Sequence, residues 1–289
     1  MRSITCTNND GYSLTFGETG FTPFFLAHVD GIYEKKNKVS VSQNTMTDGG
    51  TYNGSVAAYR NVVLTVKLEP TDRYFQKKRD ALNQLFADSG TLTYTENGVS
   101  RIIDYKVESI EPTLKKGNIN ISLICPDPFF YDVDVQTVTM ATWVPAFEFE
   151  HEFLAAGEEI GYKENVRMQN IVNDFSADDV GLLITIEVSG EVENPSIVHV
   201  EQDIHSTVGD SSKPLTLVFG DKLIISSYPN DMRVYLIHGG VKTEINEYLT
   251  EDSDYIRLGR GNNHIGYGAD DGEEYMSVTI QYRLKYVSA

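Results

Sequence analysis

Short segments in which polar and apolar residues alternate, separated by turn signals, constrain the fold of this chain more than any other feature. Residues 12–16, 91–95 and 118–124 alternate in this way, and a period of two is typical of a strand with one buried face. The segment 96–98, Glu-Asn-Gly, separates residues 91–95 from residues 100–105. Asn-Gly readily adopts the positive φ angles of a two-residue turn, which predicts a hairpin. We therefore predict a mainly β fold.

One helix is predicted in the first half of the chain, over about residues 72–87. Thr71 or Asp72 can cap its start, because either side chain can accept a hydrogen bond from a free backbone N–H group. Gly90 lies just past the end, where a left-handed glycine often terminates a helix. We expect the helix to cover a sheet with one apolar face, which consists of Phe75, Leu82, Leu85 and Phe86, together with Tyr74.

The second half of the chain is predicted to be almost entirely β. Turn signals at Gly220-Asp221 and at residues 238–240, His-Gly-Gly, separate short apolar or alternating segments. Many short strands at close spacing indicate a sandwich or a barrel. The segments concerned are residues 182–188, 215–219, 223–225, 233–237, 241–245 and 275–286.

Charge is distributed unevenly along the chain. The chain has 24 basic residues (Lys and Arg) and 42 acidic residues (Asp and Glu). Residues 1–133 contain 14 basic and 15 acidic residues, a net charge of −1. The remainder contains 24 − 14 = 10 basic and 42 − 15 = 27 acidic residues, a net charge of −17. The alternating pattern becomes irregular near Trp143 and near residues 157–159. We therefore predict two domains, residues 1–135 and residues 136–289.

The total net charge of −18 limits the classes of partner. A nucleic-acid clamp needs a basic face to neutralise phosphates, and an anionic membrane would repel this chain. We therefore expect no sequence-specific nucleic acid and no membrane as partners. Residues 1–6 lack the start of a secretion signal, and no apolar run is long enough to span a bilayer. A reducing cytoplasm is the expected compartment for assembly.

The cysteines and the sequence motifs indicate no catalytic site. Cys6 and Cys125 are too few and too far apart for a disulfide framework or a zinc site, and a single disulfide between them is the less favoured alternative. Cys125, in the segment Cys125-Pro126-Asp127-Pro128, has no basic neighbour to lower its pKa, so we interpret it as a buried structural thiol. No Gly-x-Ser-x-Gly elbow is present. We assign no catalytic residue and no cofactor-binding residue.

Metal and sugar sites are indicated only weakly, and we assign no metal ligand. The acidic segments 251–254 and 270–274 lack the spacing of a calcium-binding loop, so solvated loops are the favoured interpretation. Residues 259–264 echo a dinucleotide-binding loop but lack its third glycine. Trp143 is interpreted as a packing anchor rather than a sugar platform. No His-x-x-x-His pair occurs among His28, His151, His199, His205, His238 and His264.

Segments of the first half occur in an order that is shared with one protein family. Residues 60–66, Arg-Asn-Val-Val-Leu-Thr-Val, follow a glycine-containing stretch at residues 48–54 and precede Leu-x-x-Leu-Phe at residues 82–86. Residues 105–111 then follow a hairpin, and residues 121–130 contain Cys-Pro-Asp-Pro and two phenylalanines. This order resembles the N-terminal domain of siphophage distal tail proteins, and the Cys-Pro-Asp-Pro motif is its most specific element.

Three segments of the second half resemble the C-terminal domain of the same family. Residues 190–195 match a Gly-x-x-x-Asn-Pro strand end, residues 220–225 match Gly-Asp-x-Leu-x-Ile, and residues 258–263 match Leu-x-x-Gly-x-Asn. The likeness is weakest over about residues 133–180. The region from Trp143 to Gly161 matches nothing in the family.

The resemblance implies a structural protein at the virion tail tip, without enzymatic activity. It implies a ring, usually of six subunits, in which residues 1–135 form a tail-tube-like β-sandwich belt with one helix and a long hairpin around a DNA channel. Residues 136–289 would form an outer galectin-like β-sandwich used for docking. The partners implied are the major tail tube protein, the tail-associated tip or lysin protein and receptor-binding proteins.

Ring closure and two alternative functions complete the expectations. Heterologous contacts must close a ring, and the hairpins within residues 32–66 and 91–105 are candidates for pairing across subunits.

One alternative function is that of a carbohydrate-binding module for host cell walls, which needs an aromatic groove. A cell-wall hydrolase would need a converging acid pair, which the sequence does not single out. The aromatic candidates for the groove are Tyr228, Tyr235, Tyr255 and Tyr267.

Overall fold

The computed structural model describes residues 2–18, 22, 24–46, 48–68, 72–113, 117–145, 161–165, 167–174 and 176–289, with the backbone alone at residues 112–113, 141–145 and 161–165. The chain forms two compact units. The first contains Met1–Val133 together with Lys285–Ala289, and the second contains Asp134–Leu284. Among the described residues, no helix is long and apolar enough to cross a bilayer.

The first unit is built from strands and one α-helix. Its elements up to the unit boundary are β1 (Arg2–Asn8), β2 (Ser13–Gly17), β3 (Phe24–Asp30), β4 (Asn37–Gln43), β5 (Gly50–Ala57), β6 (Arg60–Lys67), α1 (Phe75–Leu85), β7 (Ser89–Glu96), β8 (Val99–Thr113), β9 (Asn118–Cys125) and β10 (Phe130–Asp132).

The main sheet of the first unit closes on itself. Its strands follow the order β7-β1-β2-β3-β6-β9, and β8 pairs with β7 along its first half and with β9 along its second half. All these pairings are antiparallel except β2 with β3. Alternate residues of β6 and β9 are buried, as a period of two requires. The interior is therefore one apolar core that includes Ile4, Leu64 and Ile121.

The predicted hairpin at residues 96–98 is confirmed. Strand β7 ends at Glu96 and β8 begins at Val99. The two residues between them have positive φ angles, 52° at Asn97 and 86° at Gly98. Both angles suit a tight turn whose twist matches that of the flanking strands.

The helix α1 adds apolar side chains to the core of the first unit. Leu82, Leu85 and Phe86 are buried, and the Phe86 ring lies 6.0 Å from the ring of Phe16. Tyr74 precedes the helix as its N-cap residue and is 49% exposed. The predicted apolar face was therefore too wide at its beginning.

Both ends of α1 differ from the prediction. Asp72 accepts a hydrogen bond from the Tyr74 N–H at 2.8 Å without being the cap residue, and Thr71 lies outside the described residues. Gly90 lies in β7, so the prediction that it terminates the helix is wrong. A Cβ atom on Gly90 would lie 2.1 Å from the carbonyl oxygen of Thr7. The glycine is needed because β1 approaches β7 closely at this point.

The second unit is almost entirely β, as predicted. Besides 3-10 helices at Asn246–Tyr248 and Glu273–Tyr275, its elements are β11 (Gln136–Thr139), β12 (Ala141–Pro145), β13 (Gly161–Asn165), β14 (Met168–Asn173), β15 (Val180–Val188), β16 (Val192–Glu193), β17 (Ser196–His199), β18 (Ile204–Thr207), β19 (Thr216–Leu217), β20 (Lys222–Tyr228), β21 (Asp231–His238), β22 (Val241–Glu244), β23 (Arg257–Leu258), β24 (Gly261–Gly268) and β25 (Met276–Tyr282). The last strand, β26 (Lys285–Tyr286), belongs to the first unit.

Two larger antiparallel sheets enclose the core of the second unit, and two short pairs, β12–β13 and β16–β19, accompany them. One has the order β11-β25-β15-β20-β21-β22, with β23 paired to β15, and the other has the order β14-β24-β17-β18. Ile184 and Ile280 of the first sheet and Ile197 and Ile265 of the second are buried in one cluster. Two sheets that share one apolar core form a β-sandwich. The mainly β fold class is therefore confirmed.

The alternation over residues 275–286 predicts one strand, whereas the structure has two. Strand β25 ends at Tyr282 and pairs with β15 in the second unit. Strand β26 pairs with β10 in the first unit, with Phe130 opposite Tyr286. The second unit is thus inserted between two neighbouring strands of the first.

Candidate assembly surface

The hairpin formed by β4 and β5 is a candidate assembly surface. Among the described residues these two strands pair only with each other. Large apolar side chains on the hairpin are open to solvent: Val39 is 54% exposed, Val41 59%, Tyr52 63% and Val56 66%. An isolated two-stranded hairpin is marginally stable in water, and exposed apolar side chains of this kind mark contact surfaces.

The two faces of this hairpin differ in polarity. Val39 lies opposite Ser55 and Val41 lies opposite Tyr52, and residues that face each other across a ladder share one side of it. The Tyr52 hydroxyl donates to Ser55 Oγ at 3.0 Å, which holds the ring along this apolar side. The other side carries Lys38 opposite Val56 and is otherwise polar. The apolar face is suited to covering by another protein surface.

Arg60 holds the root of the hairpin, where β3 leads into it and β6 leaves it. Its side chain is 6% exposed. One terminal nitrogen donates to the carbonyl oxygens of Gly31 at 2.6 Å and Ile32 at 3.1 Å, and Nε donates to the carbonyl oxygen of Pro128 at 2.7 Å. Burial lowers the pKa of the guanidinium below its usual value. These charge-assisted bonds fix the chain on both sides of the hairpin.

The Cys-Pro-Asp-Pro segment is the second support of this root. The Asp127 carboxylate accepts a hydrogen bond from the Phe129 N–H at 3.1 Å, which turns the chain towards β10. The Phe130 ring lies 4.9 Å below the guanidinium carbon of Arg60. The motif thus has a structural role: it presents the Pro128 carbonyl to Arg60 and leads into β10, whose Phe130 ring packs against the same guanidinium.

The hairpin at residues 91–105, the second candidate for pairing across subunits, is largely paired within its own sheet. Strand β7 is paired on one side with β1 and on the other with β8. Strand β8 is paired on its outer side with β10 and then with β9. Backbone groups that are already bonded cannot add a strand from a neighbour, so this hairpin offers less free edge than β4–β5, and its pairing across subunits stays a prediction.

Both cysteines lie in the core of the first unit and are free thiols. Cys6 and Cys125 are 0% exposed. Burial raises the pKa of the Cys125 thiol to about 12. A protonated, enclosed thiol is a poor nucleophile, so the structure gives Cys125 a packing role.

The tyrosines proposed for sugar binding are buried, half-buried or covered by a neighbouring side chain. Tyr267 is 6% exposed, so it cannot present its ring to a sugar. The ring of Tyr235 is covered by Lys242, whose Nζ lies 3.6 Å from the ring centre. Tyr228 and Tyr255 are half-buried. The side chain of Trp143 is outside the described part of the structure.

The acidic loops and histidines of the described residues do not converge on a metal site: no group of three or more His, Cys, Asp or Glu side chains there could hold an ion. His151 and residues 157–159 lie outside the described residues. An open trough of about 460 Å³ on the first unit is lined by Glu108 and Glu111. Glu108 accepts a hydrogen bond from Ser122 at 2.6 Å, which is a structural role for this acid.

A buried polar network in the second unit was not identified from the sequence. Gln202 N–H donates to Nδ1 of the buried His199, so the other ring nitrogen carries the proton and donates to Asn263 Oδ1 at 2.9 Å. The Asn263 amide group in turn donates to the carbonyl oxygens of Gly259 and Gly261. The glycine-rich segment 259–264 is therefore held by its own chain rather than open to a nucleotide.

The comparisons with known proteins concern the whole chain. No protein-family model and no curated protein matches it. Among solved structures, it is similar to SPP1 Dit, described as a paradigm of the hub adsorption apparatus in phages that infect Gram-positive bacteria. Sequence identity to SPP1 Dit is 14%, the TM-score is 0.63, and the match covers 99% of each chain.

Two structures of the phage P2 baseplate are also similar. A chain of the baseplate in its activated conformation with calcium is 10% identical, with a TM-score of 0.54 and complete coverage of both chains. The strontium form is 9% identical at the same TM-score and coverage. At these identities the comparison establishes the fold, and the chain shares that fold, from end to end, with phage Dit and baseplate proteins.

Proposed function

We propose that this protein is a non-enzymatic structural hub of a bacteriophage tail tip. The observation that carries the proposal is the likeness of fold to SPP1 Dit over 99% of both chains. The order of motifs from Arg60 to Phe130 supports the same assignment, because these residues build the root of the exposed hairpin. Fold alone does not define function, so the exposed hairpin is the local feature that supports an assembly role.

The proposed assembly is a closed ring, of six subunits by the resemblance to distal tail proteins, that joins the tail tube to the tail-associated tip protein around the DNA channel. A ring needs heterologous contacts that close. We assign the contact to the apolar face of β4–β5, which packs on a neighbouring copy. The belt is assigned to the first unit, Met1–Val133 with Lys285–Ala289, and the galectin-like outer domain to the second unit, Asp134–Leu284. The outer domain docks further tail proteins, including receptor-binding proteins.

The contact is tested by placing a charge on the apolar face of the hairpin. Val41→Asp removes about 2 kcal/mol of apolar burial and adds a buried charge, so each contact weakens at least roughly 30-fold. We expect wild-type protein to form rings, alone or with its tube protein, and the variant to remain monomeric. Mass photometry and negative-stain microscopy measure both.

A matched control is Val241→Asp in the second unit, because Val241 is also an exposed strand valine, at 66%. This variant should form rings like the wild type. Rings formed by Val41→Asp would refute the assigned contact, and a wild type that stays monomeric with its tube protein would overturn the ring itself.

A further inference from the structure

The segment Lys285–Ala289, here named the return segment, reaches the root of the hairpin from the far end of the sequence. It follows the second unit in the chain but belongs to the first. Strand β26 pairs with β10, so Lys285 lies opposite Tyr131. The backbone carbonyl of Val287 accepts a hydrogen bond from Arg60, across 227 positions in the sequence. The return segment therefore shares Arg60 with the residues that lead into the hairpin.

Further contacts fasten the return segment to the first unit. The guanidinium carbon of Arg101 lies 3.6 Å from the ring centre of Tyr286, and Arg101 also donates to the carbonyl oxygen of Ser288. The Tyr286 hydroxyl donates to the Asp132 carboxylate at 3.2 Å. Two arginines thus bond to consecutive backbone carbonyls, and such charge-assisted bonds are stronger than neutral ones.

The hairpin root, the Pro128–Phe129 turn and the return segment adjoin one another. A cavity of about 20 Å³ is lined by residues from all three. Lys36 and Ala58, at the base of β4 and β5, are bonded to each other across the root, with the Ala58 N–H donating to the Lys36 carbonyl at 2.8 Å. Loss of the return segment would open this cavity and leave one donor of a buried guanidinium unsatisfied, which is costly.

We propose that the return segment, acting through Arg60, positions the β4–β5 hairpin for ring assembly. Arg60 is the positioning residue, because it bonds at once to the strand entering the hairpin, to Pro128 and to Val287. The inference rests on the proposed ring. It also adds a condition: the hairpin is held in its assembly orientation only when residues 285–289 are in place.

The order of the chain turns this contact into a control on assembly. Synthesis proceeds from the first unit to the second, and domains generally fold as they emerge. The return segment is made after all of the second unit, so the hairpin root cannot be completed earlier. In the natural chain a subunit therefore becomes competent for the ring only after the return segment has been made, which prevents chains that end before residue 285 from entering the ring.

The test measures hairpin orientation and ring formation separately. Spin labels are attached through cysteines at Gln43, on the hairpin, and Thr93, on β7, and the distance distribution between them is recorded in wild type, in Tyr286→Ala and in a chain that ends at Leu284. We expect one narrow distance in the wild type and a broad distribution in both variants, together with loss of rings. Tyr286→Phe keeps an aromatic side chain against Arg101, so this variant should show the narrow distance and form the oligomeric ring as the wild type does.

The two readouts separate this inference from the proposed function. If the variants show a broad distance distribution but the wild type forms no oligomeric ring, the positioning role is supported and the proposed ring is rejected. A narrow distance in the folded chain that ends at Leu284, or normal rings formed by that chain, would overturn the positioning role. Circular dichroism and the melting transitions of both units show whether each variant is folded, and Tyr286→Ala serves if the shorter chain is not.

Discussion

At the scale of single residues, Glu201 shows how one exposed acid can organise a strand. Its carboxylate accepts a hydrogen bond from the backbone N–H of His264 at 2.7 Å and pairs with Nδ1 of the same residue. The side-chain bond from His264 is the larger cause, and together these bonds lower the pKa of Glu201 to about 2. The acid thereby connects the end of β17 to β24, next to the buried His199.

This bond makes the stability of the second unit depend on pH. The pKa of Glu201 is 4.5 in an unconstrained chain and about 2 in the folded protein. Because the folded value is lower, the stabilisation is fully present above about pH 4.5 and is lost as the pH falls towards 2. We expect Glu201→Gln to have a lower melting temperature at neutral pH and to approach the wild type at pH 2.

Melting temperatures of the two proteins between pH 7 and pH 2 measure this effect. His264→Gln removes the same pair from its other side and should give a similar profile. If the difference in melting temperature between the wild type and Glu201→Gln stays constant from pH 7 to pH 2, the lowered pKa of Glu201 does not stabilise the folded protein.

At the scale of elements, strand β7 shows how one position decides whether two strands can meet. Strands β1 and β7 pair along seven positions, from Arg2 opposite Glu96 to Asn8 opposite Gly90. At the last pair, the carbonyl oxygen of Thr7 and the hydroxyl of Tyr105 occupy the space that a side chain at residue 90 would fill.

Gly90→Ala should therefore destabilise the first unit. The added Cβ would meet backbone at 2.1 Å, and backbone cannot move aside as the end of a side chain can. Overpacking of a well-packed core costs about 1–3 kcal/mol, and we expect a value at the upper end of this range. Urea denaturation of the wild type and the variant, followed by circular dichroism, measures it. Gly98→Asn, at a turn position open to solvent, is the control and should change stability by less than about 1 kcal/mol.

At the scale of the whole molecule, the second unit is an insertion into the first. The chain leaves the first unit after β10 and re-enters it at β26, and these two strands are paired neighbours. Insertions are tolerated where the two chain connections lie close together, because the host unit keeps its own core. The first unit should therefore be able to fold without the second, provided that β26 is retained.

Excision of residues 134–284 tests this organisation. Val133 is joined to Lys285 through a short glycine-serine linker, so that β10 and β26 become a hairpin. We expect a folded protein with a cooperative melting transition and, because the β4–β5 root is complete, with the capacity to form rings. A chain of residues 1–133 alone should melt at a lower temperature. If the joined chain is unfolded while the full chain is folded, the two units depend on each other and the insertion model fails.

The sequence by itself determined the mainly β character, the helix and the hairpin turns. These features rest on local physical rules: a period of two or of 3.6 residues, and the ability of Asn97-Gly98 to adopt positive φ. Alternation also located β9, because one of its faces lies in the core. The order of motifs from Arg60 to Phe130 pointed to the fold that the solved structures share.

Only the tertiary structure decided what those motifs do. Alternation in β4 and β5 predicts strands, but whether their apolar face is covered depends on contacts that no local pattern encodes. The partners of Arg60 lie up to 227 positions away, and the split of residues 275–286 between two units follows from strand pairing far along the chain. Local sequence sets the geometry of an element, whereas burial and pairing depend on which distant surfaces meet it.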